Sequence, residues 1–163
     1  TIEDLIAAAE AQAIAESTTP LNPARIEGFQ DAAVAGGYDS EARRKSVEQL
    51  LPAVRADLVG LLDGASLDAL VFPTLPCPAS PRHDAEDPRY ICDIDDPYRP
   101  CYMGSASGFP EITVPAGFTS YDLPVGLSFF GRPFTEQRLV GLAFDFEQAT
   151  LARRAPALIA EEE

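Results

Sequence analysis

Apolar residues fall at helical spacing over several stretches of this chain and alternate with polar ones over one. The clearest helical pattern runs from Thr135 to Leu151, where Leu139, Leu142, Ala143, Phe146 and Ala149 share a face. Thr135 is placed to cap its start, with Glu136 in the first turn where a negative charge suits the helix dipole. Arg153 and Arg154 stand where cations suit a helix C-terminus, and Pro156 is placed to stop it. Just upstream, Val125 to Phe130 alternates: Val125, Leu127 and Phe129 face one way, and Gly126, Ser128 and Phe130 the other. This predicts a strand that Pro124 begins, since a first position can spare its N–H. Ile112, Thr113 and Val114 are short, β-branched or apolar and bounded by prolines, so they predict another strand. Gly117, Ser120 and Asp122 mark a turn from Ala116 to Leu123 between the two.

Further upstream, Leu67 to Thr74 carries a continuous apolar run, Ala69 to Phe72, ended by Pro73. A run with so little alternation predicts a strand covered on both faces. The first 66 residues read as mainly helical. Thr1 with Asp4 starts one helix, followed by Leu5, Ile6, Ala9 and Ala13 at helical spacing. Ser17 to Pro23 is a loop by its Ser/Thr and Pro content, and Ala24 to Val34 is a short helix carrying Ile26, Phe29 and Ala33, closed by Gly36 and Gly37. Asp39 or Ser40 caps a longer helix whose buried side is Val47, Leu50, Val54, Leu58, Leu61 and Leu62 and which Gly64 ends. Pro52 interrupts it and predicts a kink or two consecutive helices. Pro76 to Pro100 is rich in Pro and Asp and has no periodicity, which predicts a long, mobile surface loop. The tail Glu161 to Glu163 is expected to fray. The order of elements gives an α/β fold: a small mixed sheet with packed helices, one domain or fragment spanning 1–163.

Composition and charge narrow this picture. The chain has 163 residues, enough for one core, and a formal net charge of −14, which argues against nucleic-acid binding because phosphate neutralisation needs basic side chains. No apolar stretch is long enough to cross a membrane. The N-terminal segment lacks the basic start and apolar core of a signal peptide, and the missing initiator methionine suggests a processed chain or an excised piece. Cys77, Cys92 and Cys101 are an odd number with no CxxC, so a disulfide is unexpected and reduced thiols in the cytoplasm are the default.

The strings GFPEITVPAGF (108–118), LPVGLSFFGRPF (123–134) and FEQAT (146–150), with LDALVFPT (67–74) before them, resemble the C-terminal end of amidase-signature hydrolases. The resemblance covers most of the chain and is weakest over Pro76 to Met103. It implies the C-terminal part of an amidase-signature fold, in which these strands join a larger mixed sheet. It also implies hydrolysis of a carboxylic amide through an acyl-serine, with no cofactor. The lysine and two serines that such enzymes use lie in a Gly/Ser-rich stretch upstream of the matched region, so no catalytic residue is assigned here. The resemblance places Tyr102, Met103, Ser105 and Ser107 along the acyl side of the substrate pocket. Tyr102 and Met103 read equally well as ordinary core. Glu111 departs from the small residue usual after GFP, which puts a charge near the pocket or on a sheet edge.

The remaining chemistry-bearing residues read as solvated surface. Gly104-Ser105-Ala106-Ser107-Gly108 has alanine where a nucleophile elbow needs serine. Lys45, the one lysine, follows Arg43 and Arg44 on a wet helix face, without the burial that would lower its pKa. His83, the one histidine, lies in a loop without apolar anchoring. A Cys₃His zinc site from Cys77, Cys92, Cys101 and His83 lacks the short ligand pairs of structural zinc, and Asp84, Asp87, Asp93, Asp95 and Asp96 lack the ligand order of a calcium loop. No metal is expected. Three readings are therefore separable: a C-terminal amidase portion that supplies scaffold and pocket wall, a non-catalytic interaction module on the same fold, and a metal-binding domain. The first is preferred. Its expected partners are the upstream half of the amidase, or a second copy, and a small amide substrate.

Overall fold

A computed structural model describes residues 1–14, 22–35 and 40–155. The expected loop at Ser17 to Leu21, the closing Gly36 and Gly37, the alternative cap Asp39, the stop at Pro156 and the tail Glu161 to Glu163 lie outside the described residues. The chain divides into two units, residues 1–52 and 53–163.

The first unit is helical. Helix α1 (Ile2–Ile14) starts as expected, with the Thr1 hydroxyl accepting the Asp4 N–H at 3.2 Å and donating to the Asp4 carboxylate at 3.1 Å. Helix α2 (Pro23–Val34) is capped by Asn22, whose side-chain oxygen accepts the Ala24 N–H, with Pro23 in the first turn where its missing donor costs nothing. Ile26 and Phe29 are half-buried. Helix α3 (Glu41–Lys45) is capped by Ser40, whose hydroxyl accepts the Arg43 N–H at 3.3 Å. A π-helical turn follows over Ser46–Leu50, and Leu51 donates to the Ser46 carbonyl five residues back. This is the local answer to Pro52. Its ring has no N–H and would strike the carbonyl of residue 48 in a regular α-turn, and a wider turn relieves the clash.

Helix α4 (Leu51–Gly64), which belongs to the second unit from Ala53 onward, corrects the expected buried side. Leu62 is fully buried, whereas Val54 and Leu61 are 43% and 52% exposed, as are, in the first unit, Val47 and Leu50 at similar levels. Periodicity gives the apolar stripe but not what covers it. Three strands follow: β1 (Leu70–Pro73), β2 (Glu111–Phe118) and β3 (Pro124–Phe130). They form one sheet in the order β1-β3-β2, and both pairings are antiparallel, so β1 and β2 run in the same direction on either side of β3. The strand β2 outlasts its expected three residues. It passes Pro115 through an irregularity between Pro115 and Gly117, where Gly117 takes φ +130°, a conformation that L side chains rarely adopt. The turn is correspondingly shorter. The Thr119 hydroxyl accepts the N–H groups of Tyr121 and Leu123 and closes it.

A short helix, α5 (Cys101–Ser107), precedes β2. Helix α6 (Glu136–Thr150) lays the expected face on β2 and β3: Leu139 and Ala143 are buried with Val114 and Phe129, and Leu142, Phe146, Ile112 and Leu127 complete the cluster. Phe146 meets the Phe129 ring edge-on at 5.8 Å. The opposite face of β3 holds Ser128 and Phe130, both fully buried, with Phe130 stacked on Phe109 at 5.7 Å. β1 corrects another expectation. It is not covered on both faces, since Val71 is 53% exposed. Two details of α6 also differ. The Thr135 hydroxyl donates back to the Arg132 carbonyl instead of capping the helix. Arg154 does not serve the helix end, where Leu151 turns left-handed; it stacks on Phe118 and pairs with Asp122 at 2.5 Å. Arg132 bonds Asp63 at 2.8 Å and the Leu67 carbonyl at 2.6 Å, joining the end of α4 to the stretch before α6. No helix among the described residues is long and apolar enough to cross a membrane.

Candidate functional site

The four residues assigned to the pocket wall fall on α5, a helix that periodicity did not announce. It ends at Gly108, which takes φ +69° and donates to the Gly104 carbonyl, the left-handed termination that glycine permits. Seven residues after a loop of prolines and aspartates are too few to show a period. Helical spacing separates the four. Tyr102 and Ser105 are exposed, and the Ser105 hydroxyl donates to the Cys101 carbonyl at 3.1 Å. Ser107 is buried; its hydroxyl donates to the Met103 carbonyl and accepts the Phe109 N–H. Its own carbonyl accepts from the Arg55 side chain at 2.7 Å, a contact that no sequence signal announced. Met103 lines a cleft of about 720 Å³ together with Leu70, Phe72, Pro76, Ile94 and Pro100, with Asp93, Asp95, Asp96 and Arg99 at its polar side. The structure therefore brings Met103 to a cavity and spends the hydroxyls of Ser105 and Ser107 on backbone carbonyls of their own helix. Glu111, at the start of β2, lies over Gly104: a Cβ there would stand 2.7 Å from its carboxylate.

A second cleft, of about 800 Å³, opens beside the end of β1 and the turn between β2 and β3. Beside it lies a set of three hydroxyls that the sequence did not mark. Ser128 on β3 is 2.8 Å from the Thr74 hydroxyl and 3.1 Å from that of Thr113, and Thr74 donates to Thr113 at 3.3 Å. Register makes the set: Thr113 faces Ser128 across the β2–β3 pair, and Thr74 follows directly on β1. Gly126 lets the three strands close here, since a Cβ on it would meet Thr113 at 2.8 Å. Hydroxyls that satisfy one another in this way cost little to bury.

The loop from Pro76 to Pro100 has no regular secondary structure, as expected, but a disulfide corrects the reading of its cysteines. Cys77 and Cys92 are bonded, with their Cα atoms 5.5 Å apart, and Cys101 is free. An odd number of cysteines offered no pairing; turns at Ala85 and Tyr90, whose N–H groups bond the carbonyls of Arg82 and Asp87, fold the loop back on itself. Within it, Arg89 holds Asp87 through two guanidinium nitrogens and its backbone N–H, which together draw the carboxyl from 3.8 to about 2. Arg82 holds Asp84 through its guanidinium alone and lowers its pKa. His83 is exposed, as is Lys45 on α3. Among the described residues, no group of three or more His, Cys, Asp or Glu side chains is placed to hold a metal.

Comparison with known proteins bears on what this arrangement belongs to. The family model described as Amidase matches residues 3–140. The chain belongs to the amidase family. Within the amidases, it is 53% identical over 53 residues to a probable amidase of Arabidopsis thaliana, covering 32% of this chain and 10% of that protein. It is 35% identical over 115 residues to a glutamyl-tRNA(Gln) amidotransferase subunit of Myxococcus xanthus, covering 70% of this chain and 22% of that one. Among solved structures, the native peptide amidase from Stenotrophomonas maltophilia matches 96% of this chain and 29% of its own, with a TM-score of 0.61 and 27% identity. The chain thus spans less than a third of the length of these relatives, and its α/β arrangement of a small sheet with packed helices is a portion of theirs.

Proposed function

We propose that this chain is the C-terminal portion of an amidase that hydrolyses a carboxylic amide through an acyl-serine, and that it supplies sheet, helical support and one wall of the substrate pocket. The observation that carries this reading is the match of nearly the whole chain to under a third of a peptide amidase. The side chains agree with it. Amide hydrolysis needs a nucleophile, a base and oxyanion donors held together. The lysine and histidine of this chain stand exposed on α3 and in the 76–100 loop, and the hydroxyls of Ser105 and Ser107 are engaged by helix carbonyls. The catalytic lysine and serines then belong to the remaining portion of the enzyme, and that portion, or a second copy of this chain, covers the exposed stripe of α4 and the Val71 face of β1. We assign Tyr102, Met103, Ser105 and Ser107 to the acyl side of the pocket, with Met103 making the direct apolar contact from its cleft and the others shaping α5. A small amide is the substrate class, and no cofactor takes part. The kinship with amidotransferase subunits supports a cytoplasmic location.

The test is kinetic, on the full-length amidase. Met103→Ala removes apolar wall that touches the acyl group equally in ground and transition states. KM for an aliphatic amide is expected to rise roughly 5–30-fold, the loss of about 1–2 kcal/mol of apolar contact, with kcat nearly unchanged. An unchanged KM in a folded variant removes Met103 from the pocket.

A further inference from the structure

We propose that the Cys77–Cys92 disulfide is a reversible redox strap that sets the shape of the Met103 cleft. The placement of the bond carries this. Cys77 is buried and follows directly on Pro73 to Pro76, a stretch that lines both clefts. Cys92 immediately precedes Asp93 to Asp96, which line the Met103 cleft together with Leu70 and Phe72. The bond closes a separation of 15 residues and ties that stretch to the root of β1.

Few hydrogen bonds tie it to the body. Among the described residues, the hydrogen bonds of residues 77–97 stay within the loop: Arg82 to Asp84, Arg89 to Asp87, the Ala85 and Tyr90 turns, and Tyr98 N–H to Asp96. One contact outside is Arg89 over the Tyr121 ring at 5.3 Å, an exposed cation–π pair of modest strength. A loop with its own turns but few bonds to the body depends on its crosslink for position, because the crosslink removes most of the conformations the segment would otherwise sample. Cys101 is the internal contrast: it is a free thiol at the start of α5, donating weakly to the Thr74 carbonyl.

The chemistry balances with a dithiol as the co-reactant. One thiolate of the dithiol attacks a sulfur of the Cys77–Cys92 bond and gives a mixed disulfide. The second thiolate then displaces the remaining protein sulfur. Two electrons and two protons pass to the protein, which gains two thiols, and the dithiol leaves as its own disulfide. In a reducing compartment a bond of this kind is regulatory in character. The oxidised form holds Asp93 to Asp96 against the cleft, and the reduced form releases them.

This inference rests on the pocket reading only for its effect on turnover, so two readouts separate them. The full-length amidase is prepared without reductant and then treated with dithiothreitol, and thiol state, hydrogen–deuterium exchange and amide kinetics are followed. Cys77→Ser, Cys92→Ser and Cys101→Ser variants run alongside. Oxidised protein is expected to show one free thiol among these three. Reduction is expected to raise exchange over 78–100 roughly tenfold or more, leave α6 unchanged and shift KM several-fold with little change in kcat. The Cys77 and Cys92 variants should match reduced protein and ignore dithiothreitol, while the Cys101 variant should respond like the parent. Free Cys77 and Cys92 in protein prepared under air, or identical exchange in both states, overturns the strap. A clear exchange response with no change in KM leaves the strap standing and overturns the pocket reading instead.

Discussion

At the scale of single residues, the Asp87–Arg89 pair gives a sharp electrostatic expectation. Three donors from Arg89 hold the Asp87 carboxylate, and its pKa falls from the ordinary 3.8 to about 2. A carboxyl with a depressed pKa stabilises the fold above 3.8, and the contribution disappears as pH falls from there toward about 2. Arg89 is exposed and Asp87 only half-buried, so the pair's effect on global stability is small and the titration itself is the better observable. A carboxyl-resolved NMR titration should place the Asp87 midpoint near 2, and Arg89→Ala should return it toward 3.8. A midpoint near 3.8 with Arg89 intact contradicts the geometry. No pattern in the sequence announced this pair, because residues two apart in a loop share no periodic face. The hydroxyl set of Thr74, Thr113 and Ser128 was hidden for a related reason: it exists only once strand register puts three separated positions side by side. Ser40 as a cap and Pro124 as a strand start were legible, since each depends on backbone groups within a few residues.

At the scale of elements, α6 and β3 are where periodicity read the fold best, because each meets its partner within a short span of chain. The predicted face of α6 is the buried one from Leu139 to Phe146, with Leu139 only 1% exposed, whereas Ala149 at its end is exposed. Leu139→Ala should therefore cost about 2–5 kcal/mol in the full-length protein, measured by denaturant unfolding with an unchanged m-value. A cost under about 1 kcal/mol would mean that the helix does not seat on the sheet through this face. Phe146 is partly buried and packs against this cluster. The α4 stripe and β1 were read with the right element type and the wrong burial. Apolar spacing reports which face seeks cover, and Leu61 and Val71 remain exposed among the described residues. Pro52 was legible as an interruption, but the π-helical turn that resolves it depends on how far the preceding carbonyls move apart. The Cys77–Cys92 bond lay where the resemblance is weakest, and the short helix α5 had too few residues to show a period.

At the scale of the whole molecule, the chain is an amidase segment that leaves many large apolar side chains exposed among its described residues. Helix α6 seals one face of the sheet, Phe109 and Ser128 fill part of the other, and the flanks of β1 and β2 carry no strand partner among the described residues. Unpaired edges and bare apolar faces favour association, which is the physical reason for expecting the remaining portion of the enzyme, or a second copy, against them. The central claim is that this segment shapes the site and does not perform the chemistry. The direct measurement is an amide-hydrolysis assay of the purified 163-residue chain on short aliphatic and aromatic amides, repeated after the remaining portion of the amidase is added. The account predicts no turnover above background from the segment alone and turnover on recombination. Clear turnover by the segment alone, abolished by Ser105→Ala or Ser107→Ala, would contradict it.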